Sequence, residues 1–187
     1  MLSDLVKATT DAVVAAINGA DDIMSAVRST VKNQVTGVFS DADAIASGGM
    51  DAVTSVVSGA IQSAGEVGES VVTVAVNTVG GAITGVADVG GDVLDATGRT
   101  VRGAITTVAE VGGDIGAVAV GVVEEAINTA GNVGVSTAEA TEAAVRGALK
   151  AADEVGSDAG NTVRDALLNA ASLPRDVVER IINGSDN

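Results

Sequence analysis

The chain has no cysteine, histidine, tryptophan or tyrosine, and only one phenylalanine (Phe39) and one proline (Pro174) in 187 residues. Without cysteine there is no disulfide, thiolate nucleophile, iron–sulfur cluster or thiolate-bound zinc. Without histidine the commonest general base and transition-metal ligand are missing. The stacking platforms that hold single-stranded nucleic acid are absent, and 25 acidic against 10 basic residues give a net charge of −15 that repels phosphate. No nucleic-acid partner is expected. Lysine occurs only at Lys7, Lys32 and Lys150, and no basic residue lies between Lys32 and Arg99. The start, Met1-Leu2-Ser3-Asp4-Leu5-Val6-Lys7, lacks the basic and apolar regions of a signal peptide. The longest uncharged stretch, Ser70 to Ala87, carries Asn77, Thr73, Thr78, Thr84 and several glycines, and reads as a poor membrane span. These features set the expected location as cytoplasmic, with peripheral contact at the membrane.

Alanine, valine and glycine dominate instead, in a 22-residue repeat. One column reads Val13, Val35, Val57, Val79, Val101, Val123, Val145 and Leu167. A second reads Ile23, Ile45, Val67, Val89, Val111, Val133, Val155 and Val177. No insertion or deletion interrupts them between about residues 13 and 168, which implies a continuous geometric constraint, because loops ordinarily vary in length. Within one unit, Ala82, Val86, Val89, Val93, Thr97, Val101 and Ala104 are spaced by three or four residues. That is helical spacing, and the two-residue alternation of a strand is absent.

Two elevens per unit average about 3.67 residues per contact, the period of a right-handed supercoil. The period sets an all-α, right-handed coiled coil, roughly 230 Å long if wholly helical, and leaves chain number and direction open; the expected form is a long parallel bundle of about four chains with a short C-terminal helix. Residues 15–168 would form seven repeats, residues 1–14 an N-terminal cap or weak membrane contact, and residues 169–187 a docking helix with a polar tail. Two glycine columns complicate this picture: Gly68, Gly90, Gly112, Gly134 and Gly156, and Gly59, Gly81, Gly103 and Gly147. Either they permit close packing of continuous helices, or Gly-Gly pairs such as Gly80-Gly81, Gly90-Gly91 and Gly112-Gly113 break the chain into hairpins stacked as a solenoid. The continuous helix is the expectation, because intervals of 9 and 13 residues between the columns leave short hairpin arms. Gly48-Gly49-Met50 is the expected local break.

Candidate sites follow from that bundle. Val35, Val57, Val79, Val101, Val123 and Val145, together with Val67, Val89, Val111, Val133 and Val155, would face the common axis. Their small side chains would either pack tightly or leave an apolar bore that admits quinone or lipid. After Pro174, the stripe Val177, Val178, Ile181 and Ile182 would either fold back on the bundle end or dock a partner; docking is the expectation. Asp21-Asp22 and Glu124-Glu125 are adjacent acids rather than a same-face catalytic pair. Asp41-Ala42-Asp43 lacks the later ligands of a calcium loop. No catalytic or metal site is expected, and the chain is not expected to be an enzyme.

The columns resemble the right-handed eleven-residue-repeat coiled coils of prokaryotic surface stalks. The Ala/Val/Gly-rich array, the lack of catalytic residues and the short segment after Pro174 also resemble the stalk subunit of actinobacterial high-affinity uptake nickel–iron hydrogenases. That resemblance implies a homo-oligomeric scaffold that gathers enzyme subunits at its C-terminal end, touches the membrane at its N-terminal end and encloses quinone. The alternative expectation is an amphipathic-helix coat on a lipid or polymer granule.

Overall fold

The computed structural model describes residues 2–19, 22–40 and 49–184. Asp21, Asp41, Asp43, Ile45, Gly48 and the tail beyond Gly184 lie outside the described residues, as does the side chain of Val67. All regular structure among the described residues is helical: α1 (Leu2–Asn18), α2 (Ile23–Ser40), α3 (Gly49–Val67), α4 (Val71–Asp88), α5 (Val93–Glu110), α6 (Ile115–Asn132), α7 (Thr137–Val155), α8 (Ser157–Asn169) and α9 (Arg175–Gly184).

The 22-residue period is one helix of about five turns plus a four-residue reversal. The reversals are Val67-Gly68-Glu69-Ser70, Val89-Gly90-Gly91-Asp92, Val111-Gly112-Gly113-Asp114 and Val133-Gly134-Val135-Ser136. Each glycine in second place has positive φ, +71°, +70°, +74° and +99° in order, a backbone region that side chains with a Cβ resist. It closes the preceding helix in a Schellman motif. The Gly91 N–H donates to the Val86 carbonyl at 2.9 Å and the Gly90 N–H to the Ala87 carbonyl at 3.0 Å; Gly113 and Gly112 repeat this on Val108 and Ala109 at 2.9 and 3.2 Å. The fourth residue starts the next helix as its N-cap. Asp92 accepts the Asp95 N–H at 3.0 Å and Asp114 the Ala117 N–H at 2.9 Å. Ser136 accepts the Glu139 N–H at 3.3 Å, and its hydroxyl donates to the Glu139 carboxylate at 2.6 Å.

The expected unbroken helix, and with it a parallel bundle as the basic fold, is therefore corrected. A stop and a start recur together every 22 residues, and consecutive helices run antiparallel. Only one glycine column turns the chain. Gly59, Gly81, Gly103 and Gly147 lie inside helices, and so does the pair Gly80-Gly81. The arms are thus full-length helices rather than the short ones that two breaking columns would leave.

Each helix packs on its neighbour in sequence and on the helix two places along. The odd-numbered helices form one layer and the even-numbered helices the other. Val35, Val57, Val79, Val101, Val123 and Val145 are fully buried, with Ile61, Ile83 and Ile105 beside them. The interior glycines set the spacing within a layer. A Cβ on Gly59 would collide with the Val6 carbonyl of α1, one on Gly81 with the Arg28 backbone of α2, and one on Gly147 with the Gly98 backbone of α5. In α6 the same column holds Glu125, which instead reaches Arg28 at 2.5 Å. Two buried threonines return their hydroxyls to their own helix, Thr97 to the Val93 carbonyl at 2.7 Å and Thr141 to the Thr137 carbonyl at 2.6 Å, so the apolar interface tolerates them; the buried hydroxyls of Thr9 and Thr78 have no partner among the described residues.

α1 runs from Leu2 to Asn18 without a break at residue 14, and Thr9, Thr10, Val13 and Ile17 are buried, with the Thr10 hydroxyl bonded to the Gly59 carbonyl at 2.8 Å. Among the described residues one helix, α4, is long and apolar enough to cross a membrane by length and composition. It packs against α2, α3, α5 and α6, and 61% of that window is buried inside the protein.

Close-packed and unpacked helix glycines predict opposite effects in urea unfolding. Gly147→Ala should lower stability by about 1–3 kcal/mol, because two backbones must separate. Gly131→Ala, where a Cβ meets nothing within 4 Å, should raise it by up to about 1 kcal/mol through helix propensity. Shifts of the same sign would contradict this assignment. Gly112→Ala should cost roughly 1–2 kcal/mol through its left-handed backbone, although open space surrounds it.

Candidate functional site

The two valine columns do not converge on one bore. Val35, Val57, Val79, Val101, Val123 and Val145 are packed between the layers of a single chain. In the second column Val89, Val111 and Val133 are the C-caps of α4, α5 and α6, and Val155 is the last residue of α7, each immediately before a glycine of positive φ. Val111, Val133 and Val155 are 45%, 39% and 42% exposed there, and Val89 is half-buried. Because the helices alternate in direction, Val111 and Val155 lie at one edge of the stack and Val89 and Val133 at the other. The reversal that breaks the helix also separates the two columns.

The C-terminal stripe is also covered within the chain. α9 packs on α7 and α8, with Val178, Ile181 and Ile182 only 1%, 6% and 8% exposed and Val177 half-buried against the core. The Pro174 carbonyl accepts the Val177 and Val178 N–H groups at 3.0 Å and so starts the helix. α9 closes the last repeat, as terminal elements of repeat arrays do. The fold-back alternative replaces the expected docking role for these four residues.

The outer face of the odd-numbered layer carries three adjoining grooves. The first, of about 390 Å³, lies between α3 and α5, where Asp51, Thr54, Ser55 and Ser58 face Arg99, Arg102, Thr106 and Glu110. The second, of about 410 Å³, lies between α5 and α7 and is lined by Arg99, Arg102, Arg146 and Lys150 together with Asp95, over a floor that includes Gly98 and Gly147. The third, of about 540 Å³, lies between α7 and α9 and shares Arg146 and Lys150. None of the three is lined by a valine of the buried column.

Carboxylates hold the arginines in place. Arg102 forms a two-pronged pair with Glu154, Nε to Oε2 at 3.0 Å and Nη2 to Oε1 at 2.6 Å. Arg99 bridges Asp95 on its own helix at 3.0 Å and Asp51 of α3 at 3.1 Å. Arg146 pairs with Glu142 on its own helix at 3.0 Å. Such half-exposed pairs contribute little stability, about 0–1 kcal/mol each, but they orient guanidinium groups. Among the described residues, no three side chains of the metal-ligating types come together to hold an ion. The arrangement suits binding of polar, charged surfaces. The signal for it in the sequence is the interval from Arg102 to Arg146, two whole repeats, which returns the chain to the same layer.

Compared with known families and with curated proteins, the chain matches no family model and no curated sequence.

Proposed function

We propose that this protein is a non-catalytic helical-repeat scaffold that holds partner proteins along the grooved face of its odd-numbered layer. The observation that carries this reading is the two-layer stacking of helices, which sets three open grooves side by side on one face. Each helix is fixed by neighbours on both layers, so the face is a rigid platform rather than a flexible loop cluster. The resemblance to hydrogenase stalks supplies one class of partner, an enzyme complex gathered at a membrane. Carriage of quinone or lipid in a valine-lined bore is not part of the proposal, because the first valine column is packed between the layers of one chain and Val111, Val133 and Val155 of the second are exposed at the edges of the stack.

A four-chain parallel bundle is the second form, favoured by one feature. The apolar stripe continues across each connection, as from Val89 to Val93, so straightened turns would leave it aligned for other chains. Light scattering combined with small-angle X-ray scattering separates the two. The stacked fold predicts one chain of 18.1 kDa with a compact profile. A mass four times larger with a rod-like profile would establish the bundle instead.

Partner holding is tested with photo-cross-linking side chains placed at Thr106 in the first groove and at exposed Asn161 on α8, in cells that make the protein naturally. Discrete adducts are expected from Thr106 and not from Asn161. No adduct from Thr106, or the same adducts from both layers, would refute the scaffold reading.

A further inference from the structure

Four of the chain's 10 basic residues line the groove between α5 and α7. They come as two short ladders, Arg99 and Arg102 on one wall and Arg146 and Lys150 on the other. The backbones of α5 and α7 make their close approach at Gly98 and Gly147, which keeps the two ladders on either side of a shallow floor. Asp95 is the acid among the lining residues.

The bonds already made leave donors unspent. A guanidinium carries five N–H donors. Arg99 uses Nε and Nη1, Arg102 uses Nε and Nη2, and Arg146 uses Nε and Nη2. Each therefore retains an Nη group beyond its ion pair. Lys150 is exposed and forms no ion pair with the described residues. The neighbouring carboxylates thus hold the arginines in one geometry without consuming their capacity, and a charged acceptor gains most from donors that are already oriented.

We propose that the α5–α7 groove binds an acidic polypeptide segment, whose side-chain carboxylates are taken by Arg99, Arg102, Arg146 and Lys150. The inference rests on the scaffold reading for its choice of a polypeptide. A nucleic acid is disfavoured because the chain has no tyrosine or tryptophan for base stacking. The groove is open rather than enclosed, and its four cations stand on two facing helices, which suits a segment carrying several carboxylates.

The probe is a labelled peptide of alternating glutamate and alanine, titrated into the full chain and followed by fluorescence anisotropy, with a glutamine–alanine peptide as comparison. Binding of the glutamate peptide alone is expected, weakening as salt rises. The double variant Arg146→Glu, Lys150→Glu should lose at least about ten-fold in affinity. The variant Lys7→Glu, Arg175→Glu changes net charge equally on α1 and α9, outside the groove, and should bind like the unaltered chain. Circular dichroism of each variant checks that the helices persist. Equal binding of both peptides, equal losses in the two double variants, or displacement by free glutamate at matched carboxylate concentration would each overturn the proposal. If the peptide fails while Thr106 still cross-links a partner, the acidic-segment inference falls and the scaffold reading stands; loss of the cross-links removes the scaffold reading itself.

Discussion

A helix made chiefly of alanine, valine and glycine gains little from any one side chain, so its neighbours must come very close for their contacts to add up. In this protein that approach is made backbone to backbone at glycine. Gly59, Gly81 and Gly147 each lie where a methyl group would strike the main chain of the helix two places earlier. Glycine in mid-helix costs about 1 kcal/mol relative to alanine, and the contacts made possible around it offset that cost. The buried column at Val57, Val79 and Val101 then meets its partners across the layers without aromatic bulk. Layer spacing, groove width and the position of the cations all follow from this separation.

The sequence and the structure agree on the period and on the helical state, and part at the connections. The Val35-to-Val145 column was legible as buried because its spacing repeats without a gap. The reversals were not, because 22 residues satisfy two physical solutions at once: two hendecads of a continuous coil, or one helix of about five turns plus a short turn. Hydrophobic periodicity cannot separate these. Local chemistry can, since Gly90 is followed two residues later by Asp92, and Gly112 by Asp114, a helix stop joined to a helix start. Considering both glycine columns together hid that signal, since Gly81 and Gly103 serve packing while Gly90 and Gly112 serve turning. The grooves were still less legible. Arg102 and Arg146 are far apart in sequence and become neighbours only once the chain is known to return to the same layer after two units.

Charge plays a secondary but orderly part. With so few cations in a strongly acidic chain, several are spent between helices: Lys32 on Asp88 at 2.6 Å, Arg28 on Glu125 at 2.5 Å, and Arg164 on Asp153 at 3.0 Å. Lys32–Asp88 and Arg164–Asp153 join helices that already pack on one another, so these two pairs contribute alignment more than stability. Pairing Arg28 with Glu125 joins α2 to α6 across α4, at the one place where the glycine column is interrupted. The remaining acids leave most of the surface negative, which opposes aggregation of a chain otherwise rich in apolar residues.

The equal, gap-free units make the length of this molecule a countable quantity. Because sides alternate with each helix, removing or duplicating one unit would transfer every later element to the opposite side and divide the cations of α5 and α7 from their present surroundings. Two units together restore the sides, the glycine contacts and the connections in register. The natural increment of growth or loss for such a gene is therefore 44 codons, twice the 22-residue period, and an ancestor or descendant of this protein would differ from it in reach by whole pairs of helices while keeping the same cross-section.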